Sequence, residues 1–345
     1  MRDLVWAVSV GAFLGLSCSS SGDGSAAHPT ADAAAGGAES GSGGSASAGR
    51  DGSGGASGGA SGGRASGGSG GGGAGSGNAG SGGADAGGKT DAGAADPCAT
   101  ALFCETFESY AEQSPPGSPW KTSTNHGAVS VATDRRFRGA KAAKFSTEAN
   151  SGGKTAFIRL NDAPVFPVPN DVFYGRMMAW LDSAPETSVH WTFIQGGGLV
   201  PGQSYHALYR YGGQHPITDN GSFTGTQLMA NYETPDSYGG NGPGSDCWNH
   251  ADRVVFPVQQ WNCVEWEFDG GSSTMRFWLN GSAVDSLTVQ GVGQGCVNQP
   301  KDFAWTAPAF DALSLGWESY QNDTERTLYV DDVVLAQDRV GCPAP

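Results

Sequence analysis

A break in composition near residue 96 divides the chain into a part that cannot fold alone and a part that can. From residue 19 to residue 96 the sequence is almost entirely Gly, Ser and Ala with scattered Asp. Such a segment lacks the apolar surface needed to offset the entropy of ordering its backbone. We therefore expect residues 19–96 to be a disordered linker and residues 97–345 to form the folded domain.

Residues 1–18 have the features of an export signal. Arg2 precedes a run of apolar and small residues that is too short for a permanent membrane span. The segment from Leu14 to Cys18 resembles the lipobox of bacterial lipoproteins, although Leu16 lies one position later than usual. Lipidation of Cys18, followed by Ser19, would give an outer-membrane lipoprotein at the cell surface. Ordinary signal cleavage would instead give a secreted protein.

The cysteine count and the net charge indicate disulfide bonds and limit the possible binding partners. Six cysteines remain after Cys18, namely Cys98, Cys104, Cys247, Cys263, Cys296 and Cys342. None of the spacings between them is typical of a zinc site. Three disulfides are expected, and the pairing stays open, although Cys98 with Cys342 would suit a sandwich whose termini are neighbours. The formal charge of −15 argues against nucleic acid or anionic lipid as a partner, which leaves membrane contact only through the lipid anchor.

Short β-rich runs separated by Gly, Pro, Asn and Asp fill the folded part, and no long helix is predicted. The pattern predicts an all-β protein, a concanavalin-like β-sandwich or jelly roll, and we expect a monomer. Its clearest local signal is Asn280-Gly281 between two alternating runs, which predicts a type I′ hairpin.

Alternation along these runs predicts several polar faces in the middle of the domain. Tyr174 shares a face with Arg176, His206 with Arg210, and Gln227 with Asn231, because successive strand residues point to opposite sides. A solvated outer face would be richer in Lys, Glu, Ser and Thr. The planar and titratable side chains therefore favour a binding cleft.

Five segments occur in an order that carries a family resemblance. They are Leu102 to Glu108, Tyr174-Gly175-Arg176 with His190 to Phe193, Arg210 to Gln214, Gln260 to Trp266, and Leu315 to Glu318 with Tyr329 to Val333. This order resembles the core domain of the cellulose-induced secreted proteins. The resemblance implies a jelly roll similar to glucuronan and alginate lyases, with polysaccharide as its partner.

If the lyase relation holds, the reaction is β-elimination at a uronic acid. One group neutralises the carboxylate at C5, a base removes the C5 proton and an acid protonates the leaving oxygen. Arg176 as neutraliser and His190 as base are expected on neighbouring strands in one groove, with Tyr174 and Arg210 as further catalytic candidates. The candidates for substrate binding are Gln214, Asn231, Gln227, Glu318 and Trp248. Two structural roles stay open: His190 as a hydrogen-bonded strand residue, and Arg176 as the partner of Glu265 or Glu318.

Two other functions compete with the lyase. A glycoside hydrolase of this shape would carry Glu-x-Asp-x-x-Glu on one strand, whereas this chain has Glu265-Trp266-Glu267-Phe268-Asp269 and no third acid. A non-catalytic carbohydrate-binding or adhesion module would need exposed aromatic rings. Ten Trp and nine Tyr offer such rings, although most are expected in the core.

A structural calcium ion is also expected, tying the first strand to the last. Glu108 with Asp331 or Asp332 would supply carboxylates, and the turn from Arg138 to Lys141 would supply carbonyl oxygens, which suits a hard cation. Alternatively, Asp331 and Asp332 are charges on an exposed edge strand that discourage pairing with another chain.

Overall fold

A computed structural model describes residues 97–343, with the exception of Ser151, Ala163 and residues 236–241. The predicted signal peptide, the lipidation site at Cys18 and the predicted linker lie outside the described residues. Within the described part, no helix has the length and apolar character needed to cross a bilayer.

Seventeen strands and three short 3-10 turns make up the described chain. The strands are β1 (Phe103–Glu105), β2 (Lys121–Asn125), β3 (Gly127–Ala132), β4 (Ala142–Thr147), β5 (Lys154–Leu160), β6 (Val172–Leu181), β7 (Trp191–Leu199), β8 (His206–Asp219), β9 (Ser222–Glu233), β10 (Asp246–Val255), β11 (Asn262–Asp269), β12 (Thr274–Leu279), β13 (Ser282–Ala283), β14 (Val289–Gln290), β15 (Gly295–Val297), β16 (Ala309–Ser319) and β17 (Arg326–Ala336). The 3-10 turns are Pro97–Ala99, Pro169–Asp171 and Asp285–Leu287. The all-β prediction is confirmed.

Two antiparallel sheets form the sandwich. The eight-stranded sheet has the order β15-β10-β9-β8-β7-β16-β5-β2. The nine-stranded sheet has the order β13-β12-β11-β6-β17-β4-β3, with β1 paired to β17 and β14 paired to β12. The chain crosses between the sheets from β6 to β7 and returns from β10 to β11. The predicted jelly roll is therefore the observed architecture.

Aromatic side chains from both sheets fill the space between them. Tyr211 of β8 stacks on Phe268 of β11, with ring centroids 5.7 Å apart, and Phe173 of β6 meets Phe310 of β16 edge to face at 5.6 Å. Burial of side chains of this size contributes roughly 1.5–3 kcal/mol each. The alternation that sends these rings inward sends their neighbours, among them Arg210, to the outer faces.

The disulfides number three, as expected, but their pairing differs from the one favoured above. Cys98 pairs with Cys104, Cys247 with Cys296, and Cys263 with Cys342. The preference for Cys98 with Cys342 is wrong because the C-terminal segment runs back over β11, where Cys263 faces outward.

Candidate functional site

A row of cross-strand partners runs over the outer face of the eight-stranded sheet. In order it is Lys121, Arg159, Ser314, Gln195, Arg210, Asn231, Trp248 and Gly295. The row faces away from the core, as Arg210 lies between the buried, inward-facing Tyr209 and Tyr211. The sandwich thereby collects polar side chains from seven strands on one surface.

Two adjoining cavities follow this row, and together we call them the groove. The central cavity, of about 370 Å³, is lined among others by Arg159, Gln195, Arg210, Glu233, Glu318 and Tyr320. The neighbouring cavity, of about 290 Å³, is lined among others by His190, Gln214, His215, Asn231, Asp246 and Trp248. Both volumes lie near the lower end of the range of small-molecule sites.

Arg210 is the centre of a buried network in the groove. It is 2.8 Å from Oε1 of Glu233 and 3.4 Å from Oε2 of Glu318, and it donates to the hydroxyl of Tyr320. That hydroxyl in turn donates to Oε2 of Glu318 at 2.7 Å. Burial opposes the charge of Arg210, but Glu233 and Glu318 hold its pKa above the usual range. Arg210 therefore stays charged and fixed in place.

Two groups near Arg210 have shifted acidities. Burial raises the pKa of Glu233 to about 7, although Arg210 pulls it down. Burial, together with Glu233 and Glu318, raises the pKa of Tyr320 well above its ordinary value even though Arg210 opposes this. Tyr320 is therefore a protonated phenol at neutral pH.

His190 lies next to this network, just before β7. Its ring centroid is 5.2 Å from that of Tyr320, and burial lowers the pKa of its imidazole to about 4. The backbone N–H of His190 donates to Gln321 at 2.7 Å, which fixes the chain at this point. At neutral pH the groove thus holds an uncharged imidazole, which can accept a proton, beside a phenol that carries one.

Several buried polar atoms in the groove have no hydrogen-bond partner among the described residues. They are Nε of Arg159, His190 Nε2, Gln195 Oε1, Nε of Arg210 and Asn231 Oδ1. Buried polar atoms are nearly always satisfied in folded proteins, because an unsatisfied one costs about 1–3 kcal/mol. Their concentration on one surface is what a site for a polar ligand requires.

Comparison with known proteins places the domain in a family. A family model described as the Cip1-like core domain, of polysaccharide-lyase-like type, matches residues 107–338. The chain belongs to this family. No protein with a curated description matches it.

Three solved structures resemble this Cip1-like domain. The cellulose-induced protein Cip1 is 24% identical, with a TM-score of 0.47, over 70% of this chain and 100% of that chain. An endo-β-1,4-glucuronan lyase from the fungus Trichoderma reesei is 15% identical, with a TM-score of 0.45, over 69% of this chain and 96% of that chain. An alginate lyase from a Chlorella virus is 12% identical, with a TM-score of 0.42, over 64% of this chain and 94% of that chain.

Two predicted catalytic residues lie away from the groove. Arg176 and Tyr174 belong to β6 of the nine-stranded sheet and face outward from it, on the opposite side of the sandwich from His190. The prediction that Arg176 and His190 lie on neighbouring strands in one groove is therefore wrong. The buried Arg176 donates instead to the carbonyl of Gly341 at 3.4 Å, beneath the C-terminal segment.

Most other predicted site residues do come together in the groove. Asn231, Gln214, Trp248 and Glu318 line the cavities described above. Gln227 shares the outer face but donates to the carbonyl of Ala251 and does not line the two cavities.

The carboxylates considered for a hydrolase lie on the other sheet. Glu265 accepts hydrogen bonds from Arg339, at 2.7 Å, and from the N–H of Gly341. Glu267 pairs with Arg276 at 2.5 Å. Both acids therefore have structural partners on the nine-stranded sheet and do not face the groove.

Several groove residues were not predicted, among them Arg159, Gln195, Glu233 and Tyr320. Arg159 could have been predicted from the sequence. It shares one strand face with Thr155 and Phe157 in the β-rich run at residues 155–160. Gln195 follows an irregularity in the β7–β8 register between Thr192 and Ile194, which breaks simple alternation. Tyr320 lies one residue beyond the end of β16, where alternation gives no guide.

The residues predicted to bind calcium make hydrogen bonds to other groups of the protein. Glu108 accepts the N–H groups of Ala140 and Lys141, at 2.8 and 2.9 Å, while the ammonium of Lys141 donates to the carbonyls of Glu108 and Tyr110, both at 2.8 Å. The turn thus directs backbone N–H groups toward Glu108, where a calcium ion would need oxygen ligands, and it places the Lys141 ammonium beside the carbonyls of Glu108 and Tyr110. As placed, these residues do not fit a calcium ion.

Asp331 and Asp332, the aspartates predicted to bind calcium, also have partners within the protein. Asp331 accepts the N–H groups of Phe137, Arg138 and Asp332, and burial raises its pKa to about 6 in spite of these donors. Asp332 lies 3.6 Å from Arg138. Asp331 is fully buried and Asp332 largely so, which also makes the alternative of exposed edge-strand charges wrong.

Proposed function

We propose that the groove binds an acidic polysaccharide and cleaves it by β-elimination at a uronic acid. The supporting observation is the set of buried, unpartnered polar atoms beside a neutral His190 and a protonated Tyr320. Membership of a polysaccharide-lyase-like family agrees with this reaction class.

In the proposed reaction, Arg159 and Gln195 bind the uronate carboxylate. Gln195 is the cross-strand neighbour of Arg210 in the row. On its other side Ser314 separates Gln195 from Arg159, which lies two strands away from Gln195. Hydrogen bonds to the carboxylate withdraw charge from C5, which makes the C5 proton more acidic. Rotation of the Gln195 amide would present its NH₂ group to the carboxylate.

His190 and Tyr320 then carry out the proton transfers. Nε2 of His190 takes the C5 proton, and the electron pair of the C5–H bond forms the C4–C5 double bond. The bond from C4 to the bridging oxygen breaks, and that oxygen takes the phenolic proton of Tyr320. Arg210, which donates to the Tyr320 hydroxyl, stabilises the resulting phenolate. Exchange with water returns both groups to their starting state.

A non-catalytic carbohydrate-binding function is the second candidate. Trp248 is half-buried at one end of the row, and its ring lies against Gly295, where a Cβ atom would come within 2.8 Å of it. One face of this indole is therefore supported by the sheet, as in a platform on which a sugar ring stacks. A binder of this kind would need neither His190 nor Tyr320.

We also propose that the protein is exported, with the domain tethered at the outer membrane through an acylated Cys18 or released by ordinary signal cleavage. The Gly/Ser/Ala composition of residues 19–96 supports this proposal because such a chain gives the domain reach.

The test is to incubate the purified protein with polysaccharides that contain 4-linked uronic acids and to follow the ultraviolet absorbance of the unsaturated product. His190→Ala and Tyr320→Phe should each abolish turnover and leave polysaccharide binding intact, whereas His126→Ala, at an exposed histidine outside the groove, should change neither. Binding without an absorbance change would favour the binding module. New reducing ends without an absorbance change would indicate a hydrolase.

A further inference from the structure

The charges along the groove are unevenly arranged. Its cations are Arg159 and Arg210, and its carboxylates are Glu233, Glu318 and Asp246. Arg210 is already engaged by two of these carboxylates, at 2.8 and 3.4 Å. In the described part of the chain Arg159 makes no ion pair, so it is the groove cation that remains available to a ligand.

The remaining charged positions do not add a second free cation. Lys121, at the end of the row, pairs with Asp162 at 3.1 Å. Asp246 accepts a hydrogen bond from Asn231 at 2.8 Å and has no Lys or Arg partner among the described residues. Burial also lowers the pKa of His190 and His250 to about 4 each, so these imidazoles are uncharged at neutral pH. Beyond Arg159, the groove is neutral or negative.

A polymer of contiguous uronic acids fits this surface poorly. If one carboxylate binds at Arg159, the carboxylates of adjoining sugars would lie along the row toward Glu318, Glu233 and Asp246. Like charges separated by a few Å in a partly buried site repel appreciably. Neutral sugars would meet no such repulsion, and the amides of Gln214 and Asn231 and the ring of Trp248 are suited to sugar hydroxyls and ring faces.

We infer that the substrate is a heteropolysaccharide in which a single 4-linked uronic acid is flanked by neutral or N-acetylated sugars. This inference rests on the proposed function, because it assumes that the groove takes a uronate at Arg159. It goes further by defining the sugars on either side of that uronate, and it assigns the choice between substrates to Asp246 and to the net negative charge of Glu318 and Glu233 around Arg210.

The test compares two kinds of purified polymer. Heparosan and hyaluronan alternate glucuronic acid with an N-acetylated sugar, whereas glucuronan and polygalacturonate are contiguous polyuronates. Affinity and turnover should both be at least about tenfold higher for the alternating polymers, given one uncompensated like-charge contact. Asp246→Asn keeps an oxygen that can accept from Asn231 but removes one negative charge. It should therefore raise the affinity for contiguous polyuronates severalfold, and by a clearly larger factor than it changes the affinity for alternating polymers.

The outcomes separate this inference from the proposed function. Equal or better use of contiguous polyuronates would overturn the inference and leave the lyase proposal standing. Binding of neither kind of polymer would overturn both. If Asp246→Asn alters the two affinities equally, charge in the groove does not select the substrate, and the inference fails. Circular dichroism and the melting temperature of the variant show whether it is folded, and Glu325→Gln, at an exposed position, is the matched charge control.

Discussion

Glu233 should make the stability of the folded domain depend on pH in a measurable way. Its side chain is 15% exposed, and burial raises its pKa from 4.5 to about 7. Between these values the folded state binds more protons than the unfolded state, so this group's contribution to stability is fully present below pH 4.5 and is lost as the pH rises through 7. The shift corresponds to roughly 3 kcal/mol.

The substitution Glu233→Gln removes this titration and keeps a side chain of the same shape. Arg210 retains Glu318 and Tyr320 as partners, so the variant is expected to fold. The stability of the wild-type protein relative to the variant should therefore fall by roughly 3 kcal/mol between about pH 4 and about pH 8. The burial of His190 acts in the opposite direction but is present in both proteins, and it cancels in the difference.

Urea denaturation at several pH values measures this difference directly, with the free energy of unfolding extrapolated to water at each pH. Glu325→Gln, at an exposed position, is the control, and its difference from the wild type should change little with pH. A wild-type minus Glu233→Gln difference that stays constant over this range would refute the assignment of Glu233 as a buried acid of the groove.

Three further predictions concern the scaffold. Gly175→Ala should destabilise the domain by about 1–3 kcal/mol in urea denaturation, because a Cβ atom there would lie 2.0 Å from the ring of Trp266. Replacing Cys263 and Cys342 by Ser should lower the free energy of unfolding by about 4 kcal/mol, since their disulfide closes a loop with a sequence separation of 79. Chelation should leave the melting temperature unchanged, whereas Lys141→Met should lower it, because the Lys141 ammonium binds the carbonyls of Glu108 and Tyr110.

Matched variants and a calcium titration serve as controls for these three changes. Gly153→Ala should be neutral, because no heavy atom lies within 4 Å of its Cβ position. Removing the Cys98–Cys104 disulfide, with a separation of 6, should cost about 2 kcal/mol less than removing the longer loop. A melting temperature that falls on chelation and recovers with calcium would restore the calcium prediction.

Local features of the fold were predictable because they depend on neighbouring residues alone. Asn280 and Gly281 have φ angles of 51° and 82° between β12 and β13, which confirms the type I′ hairpin. The edge strand β2 (Lys121–Asn125) was not predicted, because all five of its residues are exposed and the segment has no apolar alternation. The β-rich run at residues 283–289 is divided by the 3-10 turn Asp285–Leu287, which lies between the short strands β13 and β14.

The site was predictable only to the extent that it depends on strand faces. Alternation correctly indicated that Arg210 and Asn231 point out of the core, and the register makes them direct partners across β8 and β9. Alternation contains no information about which sheet a strand joins. Tyr174 and Arg176 therefore had the same local signature as Arg210, and nothing in the residues themselves distinguished the two sheets.

The placement of Arg176 shows why that distinction decides the chemistry. The connection between β6 and β7 spans residues 182–190, a length that is compatible with either a hairpin in one sheet or a crossing to the other sheet. A hairpin would have brought Arg176 beside His190. The observed crossing places His190 instead next to Tyr320, which follows β16, and near Arg210 of β8. The proton donor proposed for the reaction is thus set by β16, a partner strand of β7, and a variant of Arg176 should affect stability without altering substrate choice.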